Sequence, residues 1–335
     1  MRKIRVGVIG VGHLGRHHLR IYSELPEAEL TGIYDTDLVK AKAKAEEFNT
    51  RHFENLNLLL EKTDAVSLVV PTSFHFSIGQ AILKKGVNLL VEKPITETVD
   101  QAQRLISLAE EKNLTLQVGH IERFNPAFQA IRGMNLEPKF IESHRLAPFV
   151  PRGTDVAVIL DLMVHDIDLI LSLVKDKIRS IEAAGVPVVS ESEDIANARI
   201  TFEKGCVANI TVSRISAKPM RKLRVFQKDT YISMDLLKKK VEIYRLVDAG
   251  KVEEQEETVV GKIPLESGKS ILYQTPEVTD QDMLTSEIKS FLTAVREKSR
   301  PQVSGEDGKR ALGVALEIVK KITEHMERSG WEKRY

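Results

Sequence analysis

Residues 3–15 read Lys-Ile-Arg-Val-Gly-Val-Ile-Gly-Val-Gly-His-Leu-Gly, so that a short apolar strand leads directly into three glycines. Gly10 permits the tight turn from strand to helix, Gly12 lets the backbone approach a pyrophosphate, and Gly15 allows the helix to pack closely on the strand. A helix is predicted from His13 to Glu24, and its N-terminus would face the phosphates. The pattern predicts a dinucleotide-binding turn made of Gly10, Val11, Gly12, His13, Leu14 and Gly15.

An acidic residue follows at the distance expected for such a site. Leu30 to Tyr34 is predicted to be the second strand, and Asp35 stands at its end, about 20 residues beyond the glycines. A carboxylate at this position binds the ribose hydroxyls of adenosine and repels a 2′-phosphate, which favours NAD over NADP as the cofactor. Asp35 alternatively caps the next predicted helix, Asp37 to Phe48, and the two roles are compatible.

The composition favours a protein of two domains with small-molecule partners. A chain of 335 residues exceeds what one hydrophobic core usually holds. The 49 Lys and Arg residues nearly balance the 48 Asp and Glu residues, which gives no electrostatic reason to expect nucleic acid or a membrane as partner. Cys206 is the only cysteine, no apolar run reaches the ~18 residues of a membrane span, and the N-terminal strand is too short for a signal peptide. A cytoplasmic protein is expected.

Strands and helices alternate along residues 1–120 in the manner of a doubly wound α/β sheet. The predicted strands are continuous apolar runs, which indicates a parallel sheet covered by helices on both faces. The helix predicted from Val99 to Lys112 carries the capping pattern Thr98-x-x-Gln101 at its start. Ligands bind beyond the carboxyl ends of such strands. We therefore expect the polar clusters that follow three of the strands to converge, namely Pro71–His75, Glu92–Pro94 and Gly119–Pro126.

The pattern changes in the second half of the chain, where short segments joined by hairpin turns indicate a mostly antiparallel sheet. A long helix is predicted from Val156 to Val174. Two closing helices, Asp282 to Lys298 and Glu306 to Arg328, complete an α+β fold. Residues 248–280 are polar and acidic without a clear pattern, and they are predicted to be a mobile excursion.

These patterns predict an N-terminal Rossmann domain that binds NAD, residues 1–121, followed by an α+β domain with an open-faced sheet, residues 122–335. The second domain is expected to bind the substrate and to form the subunit contacts. An open sheet covered by helices on one face leaves its other face available for association, which favours a homodimer or homotetramer. Ala208, Ile210 and Val212 are candidates for one side of a strand in that sheet.

The long predicted helix is apolar nearly all round, which indicates that it is buried. Against this background Asp161, His165, Asp168 and Ser172 recur at i, i+4, i+7 and i+11, and at about 100° per residue they share one narrow stripe. Buried carboxylates without partners would cost several kcal/mol, so these side chains either form a structural network or line a cleft. In a cleft His165 is a usable proton acceptor, because a neighbouring carboxylate stabilises a protonated imidazole.

No metal site is predicted. His13, His17 and His18 lie close together in the sequence. Because His17 and His18 are adjacent on the first predicted helix, their side chains point in different directions and do not converge on one ion.

Five segments resemble those of the glucose-fructose oxidoreductase, inositol dehydrogenase and rhizopine-catabolism family, abbreviated Gfo/Idh/MocA. These segments, spread over essentially the whole chain, are Gly10–Gly15, Pro71–His75, Glu92–Pro94, Asp161 with His165, and Pro301–Gly308. The combination of Glu-Lys-Pro with the downstream Asp and His is far more specific than the glycines. Many members have Gly where this chain carries Met163, a departure that affects the local contour of the substrate site.

The resemblance implies an NAD-dependent oxidoreductase in which Lys93, Asp161 and His165 surround the substrate carbon that gives up a hydride. In that reading His165 takes the hydroxyl proton, Lys93 stabilises the developing alkoxide, and Asp161 orients the sugar. The side chains expected to border the cofactor beyond the glycine turn and Asp35 are Pro71, Thr72, His75, Glu92 and Lys93. For Thr72 and His75, helix capping is the alternative.

Within the family, Gly119–Pro126, Pro151–Asp155 and Asp161–Asp168 resemble the bacterial branch that oxidises C3 of UDP-N-acetylglucosamine and supplies 3-amino sugars for lipid A. A diphosphate needs cationic partners, and the candidates are Arg123, Arg152 and the basic turn from Arg214 to Arg224. The competing enzyme class is a dehydrogenase of a free sugar or a cyclitol such as inositol, which needs no diphosphate site. A non-catalytic regulator that binds NAD and a sugar is the alternative from another class. Such relatives typically lose the lysine or histidine that this chain retains.

Overall fold

The computed structural model describes residues 2–150, 157–248 and 259–328. The chain forms two compact units, each treated separately below. Unit 1 comprises residues 1–121 and 282–313, and unit 2 comprises residues 122–281 and 314–335, in both cases as far as they are described.

Helices and strands occupy most of the described residues. The helices are α1 His13–Glu24, α2 Leu38–Glu47, α3 Leu56–Leu60, α4 His75–Lys84, α5 Val99–Glu111, α6 Pro126–Gln129, α7 Val164–Leu173, α8 Met283–Glu297 and α9 Gly305–Arg328, with 3₁₀ turns at Thr72–Phe74 and Ile121–Phe124 and a π-helical turn at Ile159–Met163. The strands are β1 Ile4–Ile9, β2 Ala28–Tyr34, β3 Ala65–Leu68, β4 Asn88–Glu92, β5 Leu116–Gly119, β6 Phe140–Leu146, β7 Ile178–Val186, β8 Ile195–Phe202, β9 Val207–Ser213, β10 Met220–Gln227, β11 Thr230–Asp235, β12 Lys240–Asp248, β13 Val259–Pro264 and β14 Lys269–Gln274. Within the described ranges no helix is both long enough and apolar enough to cross a membrane.

Unit 1 is built on a five-stranded sheet of order β2-β1-β3-β4-β5 in which every pair of neighbours is parallel. This arrangement confirms the predicted doubly wound fold. The strand interiors are apolar and buried, because helices cover a parallel sheet on both faces. The predicted capping box is present at the start of α5, where Thr98 and Gln101 each bond the other's backbone N–H. The carboxyl ends of β1, β3, β4 and β5 lie along one edge of the sheet, which is where a doubly wound fold binds its ligand.

The core of unit 1 includes a segment from the far end of the chain. Leu284, Ile288, Phe291 and Leu292 of α8 pack in one buried cluster with the apolar residues of β1 and α1. The N-terminal segment of this unit ends at Ile121. Residues 282–313, which the sequence analysis assigned to the second domain, belong to the first, because the apolar face of α8 completes the covering of its sheet.

Unit 2 contains a nine-stranded sheet of order β13-β14-β12-β11-β10-β6-β9-β8-β7. Its strand pairs are antiparallel except β6 with β9, which confirms the mostly antiparallel prediction. The prediction of a patternless excursion over 248–280 is wrong for its second part. There β13 and β14 pair with each other, and β14 also pairs with β12. Both strands are short and follow the acidic run Glu253–Glu257, so their apolar residues did not stand out in the sequence.

The two faces of this sheet differ in burial. Ala208, Ile210 and Val212 are fully buried, so they share one side of β9 as predicted, and that side is the covered face of the sheet. The alternate residues point outward, and they include a row of aromatic rings that crosses five neighbouring strands. Consecutive ring centroids are 4.6 to 5.8 Å apart along the row Phe140, Phe226, Tyr231, Tyr244 and Tyr273. All five side chains are only half-buried.

Candidate active site

The glycine turn of unit 1, residues 10–15, has the geometry that its sequence predicts. Gly10 has a φ of +87°, and a Cβ there would lie 2.2 Å from the carbonyl oxygen of Val69. A Cβ on Gly15 would lie 2.0 Å from the carbonyl oxygen of Gly10. Both glycines are therefore required by close packing of the backbone. A Cβ on Gly12 would meet no atom within 4 Å. The space beside Gly12 is open at the start of α1, which fits an approaching pyrophosphate.

Asp35 is held against the glycine turn by two backbone groups. Its Oδ2 accepts a hydrogen bond from the Val11 N–H at 2.8 Å, and its Oδ1 accepts one from the Asp37 N–H at 2.9 Å. The capping alternative is wrong, because Asp37 itself caps α2 by accepting from the Lys40 N–H. A carboxylate has about four acceptor positions, so Asp35 keeps the capacity to accept from ribose hydroxyls.

Glu92 and Lys93 follow each other at the carboxyl end of β4. The Glu92 carboxylate lies 3.2 Å from Nε2 of His18, measured at Oε1. Gly119 makes room for it, since a Cβ there would lie 2.8 Å from Oε2. Lys93 is half-buried and precedes Pro94 through a cis peptide bond. The pair with His18 fixes the residue next to Lys93.

His18 is a residue whose place the sequence analysis missed. It is fully buried on α1. The signal was its spacing, because Gly15, His18, Leu19 and Tyr22 recur at three- and four-residue intervals and form the buried face of that helix. Tyr22 on this face bonds to Ser67 at 2.8 Å, and burial raises the pKa of its phenol above the ordinary value.

The segment after β3 contains three predicted cofactor residues. Pro71 is exposed, and Thr72 is half-buried in the 3₁₀ turn. His75 is buried, with Nδ1 2.8 Å from the Pro94 carbonyl oxygen and Nε2 2.9 Å from that of Val70. Its side chain does not cap α4, whose N-terminus has no side-chain cap. Both ring nitrogens contact carbonyl oxygens of the chain itself, so His75 braces the backbone around Pro94.

The predicted long helix of unit 2 is not one regular α-helix. It begins with the π-helical turn, in which the Val164 N–H donates to the Ile159 carbonyl five residues earlier, and continues as α7. Together these segments are called the 159–173 helix. Asp161 and His165 are half-buried, whereas Met163 and Val164 between them are fully buried. The two residues therefore form an accessible polar strip on a largely buried helix. Turns of π-helix frequently occur at functional sites.

Asp168 does not belong to this accessible strip. It is buried in a two-bond ion pair with Arg123, with Nε to Oδ2 at 2.6 Å and Nη2 to Oδ1 at 2.9 Å. Ser172 donates to the Leu169 carbonyl of its own helix. The structural-network alternative is thus correct for Asp168. Arg123, which was predicted to bind the diphosphate, thus directs Nε and Nη2 of its guanidinium at this buried carboxylate.

A second buried ion pair lies on the same helix. Arg145 of β6 donates through Nε to Asp166 at 2.6 Å and through Nη1 to Glu122 at 2.8 Å. Ser143 also donates to Asp166 at 2.7 Å. Burial opposes the charge of Arg145, but the carboxylates of Asp166 and Glu122 outweigh it and raise the pKa of the guanidinium. The sequence analysis missed this cluster. Ser143 and Arg145 follow buried Ile141 at every second residue, so all three side chains lie on the inner face of β6.

The other predicted basic residues divide between paired and undescribed positions. Arg214 lies 3.8 Å from Asp194, Arg221 lies 3.4 Å from Glu122, and Arg224 lies 2.7 Å from Glu142. Arg152, with the rest of 151–156, lies outside the described residues.

Comparison with known families matches both halves of the chain. A family model described as the oxidoreductase family with NAD-binding Rossmann fold matches residues 4–120. A model described as the GFO/IDH/MocA C-terminal domain matches residues 138–232.

Individual relatives cover nearly the full length. A UDP-N-acetylglucosamine 3-dehydrogenase of Acidithiobacillus ferrooxidans is 38% identical over 319 residues, which are 95% of this chain and 97% of that protein. A solved structure of UDP-N-acetylglucosamine 3-dehydrogenase GnnA from the same species has a TM-score of 0.87 at 35% identity, covering 97% of this chain and 99% of that one. An inositol 2-dehydrogenase of Corynebacterium glutamicum is 28% identical over 198 residues, 54% of this chain and 57% of that protein.

Proposed function

The chain belongs to the Gfo/Idh/MocA family of oxidoreductases, and we propose that it oxidises the C3 hydroxyl of UDP-N-acetylglucosamine with NAD. The observation that carries this proposal is the similarity to the Acidithiobacillus ferrooxidans 3-dehydrogenase, which extends along nearly the whole chain. Retention of Lys93, Asp161 and His165 supports a catalytic protein, because a regulator that only binds ligands needs neither a proton acceptor nor a cation that stabilises an alkoxide.

The residues of unit 1 suit NAD as the cofactor. The open space beside Gly12 accepts the pyrophosphate at the start of α1, and Asp35 accepts from the adenosine ribose. His13 and Leu14, at the start of α1, supply backbone N–H groups and apolar surface around the dinucleotide. Val11 is fully buried and donates its N–H to Asp35, so it acts on the cofactor through that carboxylate. The nicotinamide half of the cofactor is bordered by Pro71, Thr72, Glu92 and Lys93. His75 holds the backbone next to these residues through its contacts with the carbonyl oxygens of Val70 and Pro94. The Asp35 carboxylate disfavours NADP by repelling a 2′-phosphate.

The chemistry divides among three side chains. Bound NAD supplies the acceptor for the hydride that leaves C3 of the sugar. Lys93 stabilises the alkoxide that develops on the C3 oxygen through its charge and a hydrogen bond. His165 takes the proton of that hydroxyl as general base, so that a ketone forms at C3. Asp161 accepts hydrogen bonds from neighbouring sugar hydroxyls and orients the ring.

The product indicates the next reaction class. A 3-keto sugar nucleotide is the substrate that an aminotransferase requires to install a 3-amino group, and such sugars would enter lipid A. The enzyme would act in the cytoplasm, where nucleotide sugars are handled. Arg152 is the proposed partner of the diphosphate, since a guanidinium matches phosphate oxygens in a two-bond geometry.

The second candidate function is oxidation of a free cyclitol or sugar. The observation in its favour is the similarity to inositol 2-dehydrogenases over about half of the chain. That similarity is shorter and lower than the similarity to the nucleotide-sugar enzyme, which ranks it second.

Subunit association is proposed to use the outer face of the nine-stranded sheet, giving a homodimer or homotetramer. The aromatic row Phe140, Phe226, Tyr231, Tyr244 and Tyr273 supports this, because five neighbouring, half-exposed rings are an unusual concentration of apolar surface. A second copy of the chain presents the same row, and such a self-complementary surface suits a two-fold interface. Light scattering of the purified protein at micromolar concentration tests it, and a monomer would contradict it.

The decisive experiment measures reduction of NAD by absorbance with a panel of substrates. We expect turnover with UDP-N-acetylglucosamine. We expect none with UDP-glucose, which has no N-acetyl group, and none with inositol. Turnover with inositol alone would favour the second candidate. Tight NAD binding without turnover of any compound would indicate the regulator.

A further inference from the structure

The 159–173 helix carries two buried acidic residues besides the accessible strip. Asp166 and Asp168 are each 1% exposed, and each is bonded to an arginine from outside the helix. Arg145 comes from β6, and Arg123 comes from the turn that precedes α6. All four residues belong to unit 2. These two pairs are called the arginine clamps.

The clamps lie on either side of His165. At about 100° per residue, Asp166 projects about 100° to one side of His165 around the helix axis, and Asp168 projects about 60° to the other side. A rotation of the helix in either direction would therefore stretch one of the two pairs. This placement restrains the direction in which the imidazole points.

The clamps are built to resist such a movement. Arg123 uses both edges of its fork on Asp168, and Arg145 bonds two carboxylates at once. Charge-assisted bonds of this kind are strong and directional. Separating a buried pair would leave charges without partners at large cost. The far end is also anchored, because Glu122 accepts from the side chain of Asn125 at 3.0 Å.

We propose that Arg123 and Arg145 are positioning residues that fix the rotation of the 159–173 helix and thereby aim His165 at the substrate hydroxyl. The inference rests on the proposed role of His165 as general base. Neither arginine needs to touch the substrate or the cofactor. Their effect on the rate arises because a proton acceptor displaced by about 1 Å loses a large part of its effectiveness.

The test compares two variants of the Arg123–Asp168 pair. One keeps both charges but loses the two-bond geometry, and the other removes both charges. Arg123→Lys keeps the charge but loses the fork. The double variant Arg123→Met with Asp168→Leu removes both partners, so it leaves no unpaired buried charge and is expected to fold. Arg5→Lys is the control, because Arg5 makes a matching two-bond contact with Asp64 at 2.6 and 3.1 Å in unit 1.

We expect the single-turnover rate with UDP-N-acetylglucosamine to fall by about 100-fold in the double variant and by about 10-fold in Arg123→Lys. The clamp variants should bind NAD with an unchanged Kd. The control variant Arg5→Lys should keep the single-turnover rate of the unaltered protein. Native rates in both clamp variants would overturn the proposal, whatever their melting temperatures. If the double variant does not fold, Arg123→Lys alone decides.

His165→Asn measured in parallel separates this inference from the proposed function. A fully active His165→Asn would overturn the general-base assignment itself. An impaired His165→Asn together with fully active clamp variants would overturn only the positioning role.

Discussion

The glycine turn of unit 1 and the 159–173 helix of unit 2 differ in what fixes their side chains. In the turn, Gly10 and Gly15 are required by nearby backbone carbonyl groups, and Asp35 is held by the backbone N–H groups of Val11 and Asp37. In the helix, Asp166 and Asp168 are held by the side chains of Arg145 and Arg123. The first arrangement is a property of backbone geometry, and the second depends on which side chains other segments bring to the helix.

This difference shows which functional residues a single sequence reveals. A turn that only glycine can form leaves a mark at fixed spacing. A buried carboxylate and an accessible one look the same in a helical stripe until the partner is known. Asp161, His165 and Asp168 share the spacing, yet Asp168 is buried in an ion pair with Arg123 whereas Asp161 and His165 are half-buried.

The largest expected effects concern Lys93 of unit 1 and His165 of the 159–173 helix. Lys93→Ala and His165→Asn should each lower the rate of hydride transfer by about 100-fold or more, because both groups act mainly in the transition state. Single-turnover kinetics and thermal melting, measured together, check this. Lys112→Ala, at an exposed helix end, is the control. If His165→Asn is stable and turns over normally, His165 is not the general base.

Two glycines of the turn are predicted to have different roles, one in stability and one in cofactor binding. Gly10→Ala should destabilise the protein by about 3 kcal/mol, because its Cβ would collide with the Val69 carbonyl and its φ is positive. Gly12→Ala should leave the melting temperature unchanged and weaken NAD binding instead, since its Cβ enters open space. Calorimetry and NAD titration distinguish the two outcomes. Equal losses of stability would contradict the assignment of different roles.

Asp35→Ala should weaken NAD binding by about 1.5 to 3 kcal/mol and narrow the preference over NADP, because charge-assisted bonds to ribose are lost. Titration of both cofactors against the unaltered and variant proteins measures the change. Better binding of NADP by the unaltered protein would refute the interpretation of this carboxylate.

The smallest effect tests whether unit 2 also contains a locally determined element. Asp194, fully buried, accepts from the N–H groups of Val188, Val189 and Ser190 in the turn before it. Burial opposes its charge, but these bonds and that of the Ser190 hydroxyl outweigh it and lower the pKa of the carboxyl. Asp194→Asn should cost about 1 to 2 kcal/mol at neutral pH.

The pH dependence of that loss has a definite sign. Because the folded pKa is lowered, the carboxylate stabilises the fold at pH values above its unfolded pKa of about 3.9, and this contribution disappears as the pH falls through the folded value. Melting curves of Asp194→Asn and the unaltered protein should therefore converge in acid. If the two melting curves stay equally separated down to about pH 2, the stability lost in Asp194→Asn is not electrostatic in origin.

The sequence was sufficient for the alternating fold of unit 1 and for the mostly antiparallel sheet of unit 2, because both follow from the pattern of apolar segments and turns. It failed at β13 and β14, because these short strands follow the acidic run Glu253–Glu257 and their apolar residues did not stand out. It placed Ala208, Ile210 and Val212 on one side of a strand, but alternation alone does not tell which face is covered. His18 and Arg145 were missed because their partners, Glu92 and Asp166, lie in distant elements.

The discontinuity of unit 1 has a consequence for the order in which the chain is made. Leu284, Ile288, Phe291 and Leu292 complete a core whose other members lie near the N-terminus. During synthesis β1 and α1 emerge first, yet their apolar cluster stays incomplete until the ribosome has passed α8. All of residues 122–281 leave the ribosome in the meantime. The N-terminal part of unit 1 is therefore made well before the helix that completes its core, and an incompletely buried apolar surface is prone to aggregation during that interval.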